Sequence, residues 1–229
     1  AEQESFAIAA RSFKAALEKT APGRFEVELY PNRQIGDEKQ LVEGLRLGTV
    51  TAAVISNGVY SQVVPAFQLN DLPFFYPTEQ QVFALMDGEV GAELSRQLND
   101  KGAVMLAYLA GGYRHMLNNR KPVNTPADVI GVKYRVHNNV ALAMYQALDA
   151  SPVPMAWGET TTALQQGAVD GLDLPIGVMD SLKINEAVKY LSLTGHTYSG
   201  AALSMSKRFF DRLSDEQKKA VQEAATIAA

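Results

Sequence analysis

The chain contains no cysteine, and this absence excludes several kinds of chemistry. Disulfide bonds, thiolate nucleophiles and cysteine-based zinc sites cannot form without it. Histidine is also scarce: the sequence has His115, His137 and His196, and no two of them have the spacing of a metal-binding pair. The ordinary interpretation of each is a structural or exposed histidine. We therefore expect no metal site and no cofactor.

Motifs of catalysis and of nucleotide binding are absent as well. The sequence has no Gly-x-Ser-x-Gly nucleophile elbow, no Gly-x-Gly-x-x-Gly fingerprint and no phosphate-binding Gly-x-x-x-x-Gly-Lys loop. A catalytic nucleophile also needs a base within reach, and three isolated histidines offer little choice. What remains is a protein that binds its ligand without transforming it.

Charge and hydropathy exclude two further classes of partner. The formal net charge is −4 and no basic stripe occurs, so a nucleic-acid partner is not expected. No apolar run approaches the roughly 20 residues of a membrane-spanning helix. The residues Ala1–Glu4 resemble no part of a signal peptide, so we expect any export signal to have been removed.

The apolar pattern changes repeatedly between helical and strand periodicity. Phe6, Ala9 and Phe13 form one helical stripe, whereas Phe25, Val27 and Leu29 alternate with polar residues. Caps add further boundaries, since Asp37, Thr125 and Ser214 each begin a helix signature. Helices are predicted at 6–17, 37–48, 78–87, 89–100 and 140–148, from 125, 159 and 175, and after 214; strands are predicted at 25–29, 52–55, 103–109, 133–136, 151–155, 169–174 and 189–193.

Alternating strands and helices predict an α/β fold with mixed, mostly parallel sheets. Gly111–Gly112 marks a break between two sheets, and no Gly/Ser-rich linker separates independent halves. We predict a first lobe of residues 1–111 plus 201–229 and a second lobe of residues 112–200, with crossover strands and a hinge between them. Ligands of open α/β sheets bind at the carboxyl ends of the strands, which places a ligand cleft at this hinge.

Two arginines are candidates for binding an anionic ligand. Arg135 lies within the predicted strand 133–136, where a fixed guanidinium aimed into a cleft can clamp a carboxylate with two hydrogen bonds. The alternative is an arginine on the solvent face of an edge strand, because a strand exposes every second residue. Arg114 is a candidate second cation, and its alternative is a surface ion pair of little energetic value.

Other residues near these positions have ordinary interpretations beside the functional ones. Asp170 and Asp173 flank Gly171–Leu172, but the further oxygen ligands of a calcium loop are missing, which favours a turn that carries acids. Trp157 is the single tryptophan, and it fits a pocket wall and a core position equally well.

A series of short motifs occurs along the chain in a characteristic order and spacing. They are Leu29–Asn32 followed by Gln34–Glu38, the Asp71–Phe74 block, Gly112–Arg114, Thr125–Asp128, Gly131–Val136, Thr162–Gly167 and Val169–Gly171. In these motifs the sequence resembles the DctP-type solute-binding proteins of tripartite ATP-independent periplasmic (TRAP) transporters. The resemblance runs over essentially the whole chain, and the motifs are highly specific when taken together.

The resemblance implies two α/β lobes that close around a small organic acid and deliver it to membrane permease subunits. It also implies a periplasmic location, a monomer and no catalytic activity. It places Arg135 at the arginine that pairs with the substrate carboxylate and Arg114 at an auxiliary arginine. The other ligand-binding candidates are Ser56 and Asn57 in the first lobe, and Asn138, Trp157 and Asp173 in the second.

One position departs from the family pattern. The family usually has Gln-Glu-Asn-Pro after Asp170–Gly171, whereas this chain has Leu172, Asp173, Leu174 and Pro175. Leu174 cannot donate the amide hydrogen bond of an asparagine, so this contact is either lost or supplied elsewhere, for which Asn138 and Asn139 are the candidates. Against the family, the chain also lacks a first strand and roughly its last fifth.

The departure favours a hydroxylated monocarboxylate, such as a sugar acid, over a dicarboxylate. Leu172 and Leu174 alternate with Asp173, so only one of these two sets can face the cleft. An inward Asp173 favours hydroxyl groups, and inward leucines favour an alkyl or keto acid. Rival classes are an organic-acid lyase, for which Asp173 is the candidate base, and a sensory or structural module without a ligand.

Overall fold

The computed structural model describes residues 4–229 and the side chains from residue 6 onward. Helices and strands alternate along most of the chain. None of the helices in this described part combines the length and apolar character needed to cross a bilayer. The helices are α1 (Glu4–Thr20), α2 (Glu38–Leu47), α3 (Asn57–Tyr60), α4 (Glu79–Met86), α5 (Glu89–Asp100), α6 (Asn139–Ala147), α7 (Trp157–Gln165), α8 (Ile176–Ser181), α9 (Lys207–Phe210) and α10 (Asp215–Ala228); the strands are β1 (Ala52–Ser56), β2 (Ala103–Asn118), β3 (Lys133–Val136), β4 (Ser151–Pro154), β5 (Gly171–Pro175) and β6 (Tyr190–Ser206).

Helix boundaries follow the predicted caps. The Asp37 carboxylate accepts hydrogen bonds from the backbone N–H groups of Lys39 and Gln40, and the Gln40 side chain accepts one from the Asp37 N–H. This capping box satisfies backbone groups at the start of α2 that have no partner within the helix. Gly48 ends the same helix with φ 83°, a left-handed conformation that glycine adopts without strain. The prediction for α2 is confirmed.

The predicted break at Gly111–Gly112 is wrong, because β2 continues through both glycines to Asn118. Gly112 has φ 91°, and a Cβ atom built on Gly111 would lie 2.6 Å from the backbone oxygen of Ser199. The two glycines therefore allow an irregular strand and a close backbone approach, and they do not end the strand. Strand β6 is likewise longer than predicted, and residues 200–206 are all buried, so no exposed polar face marks this part of the strand.

The predicted strand at 25–29 is also wrong. Residues 25–30 form no strand, although Phe25 and Val27 are half-buried against the apolar core and Glu26 and Glu28 are exposed. The period-two pattern therefore indicates which side chains are buried, but it does not indicate that the segment is hydrogen-bonded to a neighbouring strand. The signature at Thr125 produces one 3-10 turn, Pro126–Val129, in place of a longer helix.

The sheet is mixed. The six strands follow the order β1-β6-β2-β5-β3-β4 in one hydrogen-bonded sheet, where the sequence predicts two. Strand β3 runs parallel to both β4 and β5, whereas β1 is antiparallel to β6 and β2 is antiparallel to β5. The α/β class with a mixed sheet is confirmed.

The chain forms two compact units. Among the described residues, the first unit comprises residues 4–67 together with Thr78–Ala110 and Gly200–Ala229; the second comprises Gln68–Pro77 and Gly111–Ser199. The lobe boundaries expected from the sequence, 1–111 plus 201–229 and 112–200, stay a prediction.

Each unit has its own apolar core. In the first unit, α1 packs against α10 through buried residues such as Leu17 and Val221. In the second unit, neighbouring residues of β2 enter different clusters: Met116 packs with Tyr134 and Tyr145, whereas Leu117 packs with Leu172 and Leu174. Both faces of this part of the sheet are therefore covered.

Candidate ligand-binding site

Arg135 is the best-placed cation of the second unit. It lies on β3 with 5% of its surface exposed, so the alternative of a solvent-facing arginine is wrong. Its Nε donates a hydrogen bond to the Met155 carbonyl at 3.1 Å, and its Cζ lies 5.3 Å from the centroid of the Trp157 ring. The carbonyl and the aromatic face both attract the guanidinium, which orients the planar group that a carboxylate needs.

Arg114, the second predicted cation, forms a buried ion pair with Asp173. Its Nε donates to Asp173 Oδ2 at 2.8 Å, and a terminal nitrogen donates to the Asp173 carbonyl. The two side chains are 11% and 3% exposed, so the alternative of a weak surface ion pair is wrong. His196 Nε2 contacts the same Oδ2 at 3.1 Å, while its Nδ1 contacts Thr194 Oγ1 at 2.8 Å.

These partners determine the ionisation of Asp173. Burial raises the pKa of its carboxyl, but the Arg114 guanidinium and the His196 ring oppose this effect and hold the pKa well below its usual range. For Arg114, burial lowers the pKa and the charge of Asp173 raises it, with a net rise. Asp173 and Arg114 are therefore both ionised at neutral pH, and their charges compensate each other.

The side chains of β5 separate into two sets, as strand alternation requires. Leu172 and Leu174 are 0% and 2% exposed and belong to an apolar cluster with Leu117 and Leu164. Asp173 contacts Arg114 and His196 instead. The leucines thus form core, and the acid lies among the polar groups.

Two buried polar atoms in this region have no hydrogen-bond partner among the described residues. They are Asp173 Oδ1, an acceptor, and the hydroxyl of Tyr145, a donor or acceptor. Tyr145 is fully buried; its ring stacks on Tyr134 at 4.6 Å and meets the His196 ring edge-on at 6.4 Å. Burial, followed by the nearby charge of Asp173, raises the pKa of Tyr145 well above its usual value. Its hydroxyl therefore stays protonated.

Asn138 is already engaged within the chain. Its Oδ1 accepts a hydrogen bond from the Ala141 N–H and caps α6, and its Nδ2 donates to Asp71 Oδ2 at 2.7 Å. His137 Nε2 lies 3.2 Å from the other carboxylate oxygen of Asp71. The amide of Asn138 therefore has local partners on both its oxygen and its nitrogen.

Ser56 and Asn57 lie in the first unit, at the end of β1. The Ser56 backbone N–H and hydroxyl both donate to Glu38 Oε1, each at 2.7 Å. Asn57 is 1% exposed, and within the described part of the chain neither its Oδ1 nor its Nδ2 has a hydrogen-bond partner. A buried amide without partners is costly, which marks Asn57 as a group suited to a polar ligand.

Trp157 starts α7 and is half-buried. It packs at the margin of the apolar cluster that contains Leu172, and its ring faces Arg135. Both interpretations of this residue therefore have a structural basis, since it is a core aromatic that also contacts the candidate carboxylate-binding group. Within residues 4–229 no group of three or more His, Asp or Glu side chains is placed to hold a metal ion.

Asp71, Tyr145 and His196 contribute to this arrangement, although the sequence does not predict them as site residues. The sequence predicts an ordinary structural or exposed role for His196, and the residue is buried and hydrogen-bonded, with Asp173 as its partner. Tyr145 has helical apolar spacing, which conceals its unpartnered hydroxyl. Asp71 had one signal, because it begins the Asp-Leu-Pro-Phe block.

An α/β chain with a buried, oriented arginine and a compensated ion pair has the features of a protein that binds small anionic solutes. The comparison with protein families agrees: residues 1–229 match DctP, the bacterial extracellular solute-binding protein family 7. The chain belongs to this family. The predicted resemblance is thereby confirmed.

Three relatives illustrate the similarity. The 2,3-diketo-L-gulonate-binding periplasmic protein YiaO of Escherichia coli is 34% identical over 222 residues, which cover 96% of this chain and 68% of the relative. A TRAP solute-binding protein from a Polaromonas species, bound to D-erythronate, superposes with TM-score 0.94 at 36% identity. The match covers 98% of this chain and 74% of the relative. One from Sulfurospirillum deleyianum, bound to succinate, gives TM-score 0.91 at 32% identity, with coverages of 96% and 71%.

The chain spans about two thirds of the length of the curated relatives that it matches. The family is one of substrate-binding proteins and not of enzymes, and its curated relatives include periplasmic binding proteins. The solved relatives are binding components of TRAP transporters.

Proposed function

We propose that this chain is the extracytoplasmic solute-binding component of a TRAP transporter and that it binds a small organic acid through Arg135. The observation that carries the proposal is the oriented guanidinium of Arg135, which is buried between the Met155 carbonyl and the Trp157 ring. A planar fork of donors in this setting suits a carboxylate and is a poor partner for a neutral solute. The chain carries its solute unchanged.

The ligand class proposed is a hydroxylated monocarboxylate such as a sugar acid. Asp173 compensates the charge of Arg114, so a second carboxylate at Arg114 would have to displace or approach an ionised Asp173. A hydroxyl group has no such cost, and Asp173 Oδ1 is an acceptor suited to it. The D-erythronate held by the Polaromonas relative belongs to this class.

Two other ligand classes remain as alternatives within the same family. A dicarboxylate has the succinate-bound relative in its favour. A keto acid has the E. coli relative in its favour, whose name specifies a diketo acid. Leu172 and Leu174 pack in the apolar core, which argues against an apolar wall of the ligand site that would favour an alkyl or keto acid.

In this function, the chain works as a periplasmic monomer that closes around its ligand and delivers it to membrane permease subunits. The ligand stabilises the closed state only through contacts that the open state lacks. Candidate contacts are Arg135, Arg114, Trp157 and Asp173 in the second unit, and Ser56 and Asn57 in the first; Asn138, whose amide is engaged by Asp71 and Ala141, is given no ligand group. Arg135 is assigned the ligand carboxylate. Asn57 is assigned a polar group of the ligand, because its buried amide has no hydrogen-bond partner among the described residues.

The direct experiment is mass spectrometry of the small molecules that the purified protein releases on denaturation. We expect a hydroxylated monocarboxylate in near-stoichiometric amount. Release of a nucleotide, a sugar without a carboxylate or an amino acid would reject the proposal. Failure to bind any acid of a broad panel would favour the sensory or structural module.

An organic-acid lyase is the enzymatic alternative, with Asp173 as its base. A general base works best with a pKa near the working pH, whereas the Arg114 guanidinium and His196 hold the pKa of Asp173 well below its usual range. Incubation with a panel of organic acids, followed by mass spectrometry for products, separates the two functions. Turnover of any acid would contradict the carrier.

A further inference from the structure

Gln68–Pro77 is a short segment whose chain neighbours belong to the other unit. The residues on both sides of it, Phe67 and Thr78, are assigned to the first unit, whereas the segment itself is compact with the second. It contains the Asp71–Phe74 block and no strand. We refer to residues 68–77 as the strap.

Three residues of the strap, Asp71, Phe74 and Tyr76, connect it to the rest of the second unit through polar contacts. The Asp71 carboxylate accepts from Asn138 Nδ2 at 2.7 Å and lies 3.2 Å from His137 Nε2. The Phe74 backbone N–H donates to the His196 carbonyl at 2.7 Å. The Tyr76 carbonyl accepts from the Tyr113 hydroxyl at 2.9 Å.

Each of these contacts lies close to a residue that the proposed function makes a ligand contact. His137 follows two positions after Arg135. His196, which accepts the Phe74 N–H through its carbonyl, contacts Asp173 through its ring. Tyr113 directly precedes Arg114. The strap therefore contacts residues that lie within two positions of Arg135 and Arg114, and one that contacts Asp173.

The backbone of the strap is strained at Phe74. This residue has φ 55°, a left-handed conformation that is uncommon for a bulky residue, and its side chain is 73% exposed. An exposed side chain does not hold the backbone in this conformation. The hydrogen bond from its N–H to His196 does, and such strain persists only where the surroundings impose it.

Asp71 contacts two side chains of the second unit. It is 8% exposed, and its two carboxylate oxygens contact His137 and Asn138, which directly precede α6. Hydrogen bonds to an ionised carboxylate are about twice as strong as those between neutral groups. Loss of this carboxylate charge weakens the contacts with the Nδ2 of Asn138 and the Nε2 of His137.

We propose that Asp71 is a positioning residue that, through the strap, holds the end of β3 so that Arg135 keeps its binding orientation. Asp71 does not contact the ligand in this proposal. The proposal rests on the proposed function for its binding readout, and its second readout is independent of any ligand.

The experiment exchanges the two partners. Asp71→Asn weakens the contact, Asn138→Asp places two carboxylates against each other, and the double variant D71N/N138D restores one amide and one carboxylate while keeping a capping oxygen at position 138. Asp180→Asn, an exposed acid of the same unit, is the matched control. Calorimetry with D-erythronate measures the dissociation constant of each variant.

We expect each single variant to raise the dissociation constant about tenfold or more, the double variant to return to within about threefold of the unaltered chain, and D180N to have no effect. Wild-type affinity in D71N would overturn the proposal. So would a double variant that binds no better than D71N while melting at the temperature of the unaltered chain.

Trp157 supplies the readout without a ligand. It is the single tryptophan of the chain, and its ring lies 5.3 Å from Arg135 Cζ, so its fluorescence responds to the position of that guanidinium. We expect D71N to shift the emission of the ligand-free protein and D71N/N138D to restore it, with unchanged far-ultraviolet circular dichroism. Identical emission in all variants would overturn the positioning role. If the unaltered chain binds no organic acid, the proposed function fails, and the fluorescence still decides the role of Asp71.

Discussion

At the scale of single residues, the ion pair of Arg114 decides which arginine is given the ligand carboxylate. Arg114 is paired with the ionised Asp173 inside the second unit, and the Arg135 guanidinium contacts the Met155 carbonyl and the Trp157 ring. A ligand carboxylate at Arg114 would lie close to the Asp173 carboxylate, and like charges repel. This repulsion is the physical reason for assigning the carboxylate to Arg135.

Replacement of Arg135 tests this assignment. We expect Arg135→Ala to weaken binding by about 2–5 kcal/mol, because the ligand carboxylate is left buried without its partner. Arg135→Lys should also weaken binding, since an ammonium cannot reproduce the planar fork. Calorimetry measures both, with Arg96→Ala, at an exposed position of α5, as the control. A change of less than threefold for Arg135→Ala would show that the carboxylate binds elsewhere.

Asp173 predicts how stability depends on pH. The pKa of its carboxyl in the folded chain lies well below the value of about 3.9 for an unfolded chain. Between these values the unfolded chain binds a proton that the folded chain does not, so the stability contributed by Asp173 is present above pH 4 and is lost as pH falls through the folded-state pKa.

Urea unfolding of the unaltered chain and of Asp173→Asn measures this contribution. We expect the difference in the free energy of unfolding between them to be largest above about pH 5 and to shrink below about pH 4. A difference that stays constant from neutral pH to about pH 3 would contradict the ionised Asp173.

At the scale of elements, two glycines show that the same residue type has different roles in different surroundings. Gly111 lies within β2, and a Cβ there would meet the backbone of Ser199 at 2.6 Å. Gly177 lies in α8 with no atom within 4 Å of its Cβ position. The sequence does not distinguish the two positions, but the close approach of the Ser199 backbone requires glycine at position 111.

Alanine at each position provides a matched pair. We expect Gly111→Ala to destabilise the chain by about 1–3 kcal/mol, because backbone atoms cannot move aside as a flexible side chain can. Gly177→Ala should be neutral or stabilise by roughly 0.5–1 kcal/mol, since alanine favours the helix. Thermal unfolding checks both. Equal effects of the two changes would show that β2 tolerates the added methyl group.

At the scale of the whole molecule, the rise in stability on ligand binding distinguishes the possible ligand classes. A ligand at ~100 times its dissociation constant raises the free energy of unfolding by about 2.7 kcal/mol. We expect hydroxylated monocarboxylates such as D-erythronate and galactonate to raise the melting temperature, and succinate and malate to have little effect. Strong shifts with the dicarboxylates and none with the hydroxy acids would contradict the inference from Asp173.

The sequence by itself determined the features that depend on neighbouring residues. The capping boxes at Asp37 and Ser214, the strand at 133–136 and the α/β alternation need only local hydrogen bonds and periodic burial, so their patterns are visible in the chain. Its motifs also showed the family, and they marked Arg135 and Arg114 as candidates.

Only the tertiary structure decided features that depend on distant residues. The extended segment 25–30 has no strand neighbour, β2 passes through Gly111–Gly112, and Leu174 belongs to the core. Asp173 meets His196 across 23 positions and Asp71 meets Asn138 across 67, and nothing in a local pattern encodes such a distance. Hydrogen bonds and ion pairs of this kind form only once the sheet topology has brought their elements together, which is why the polar arrangement around Arg114 and the strap could not be predicted from the sequence.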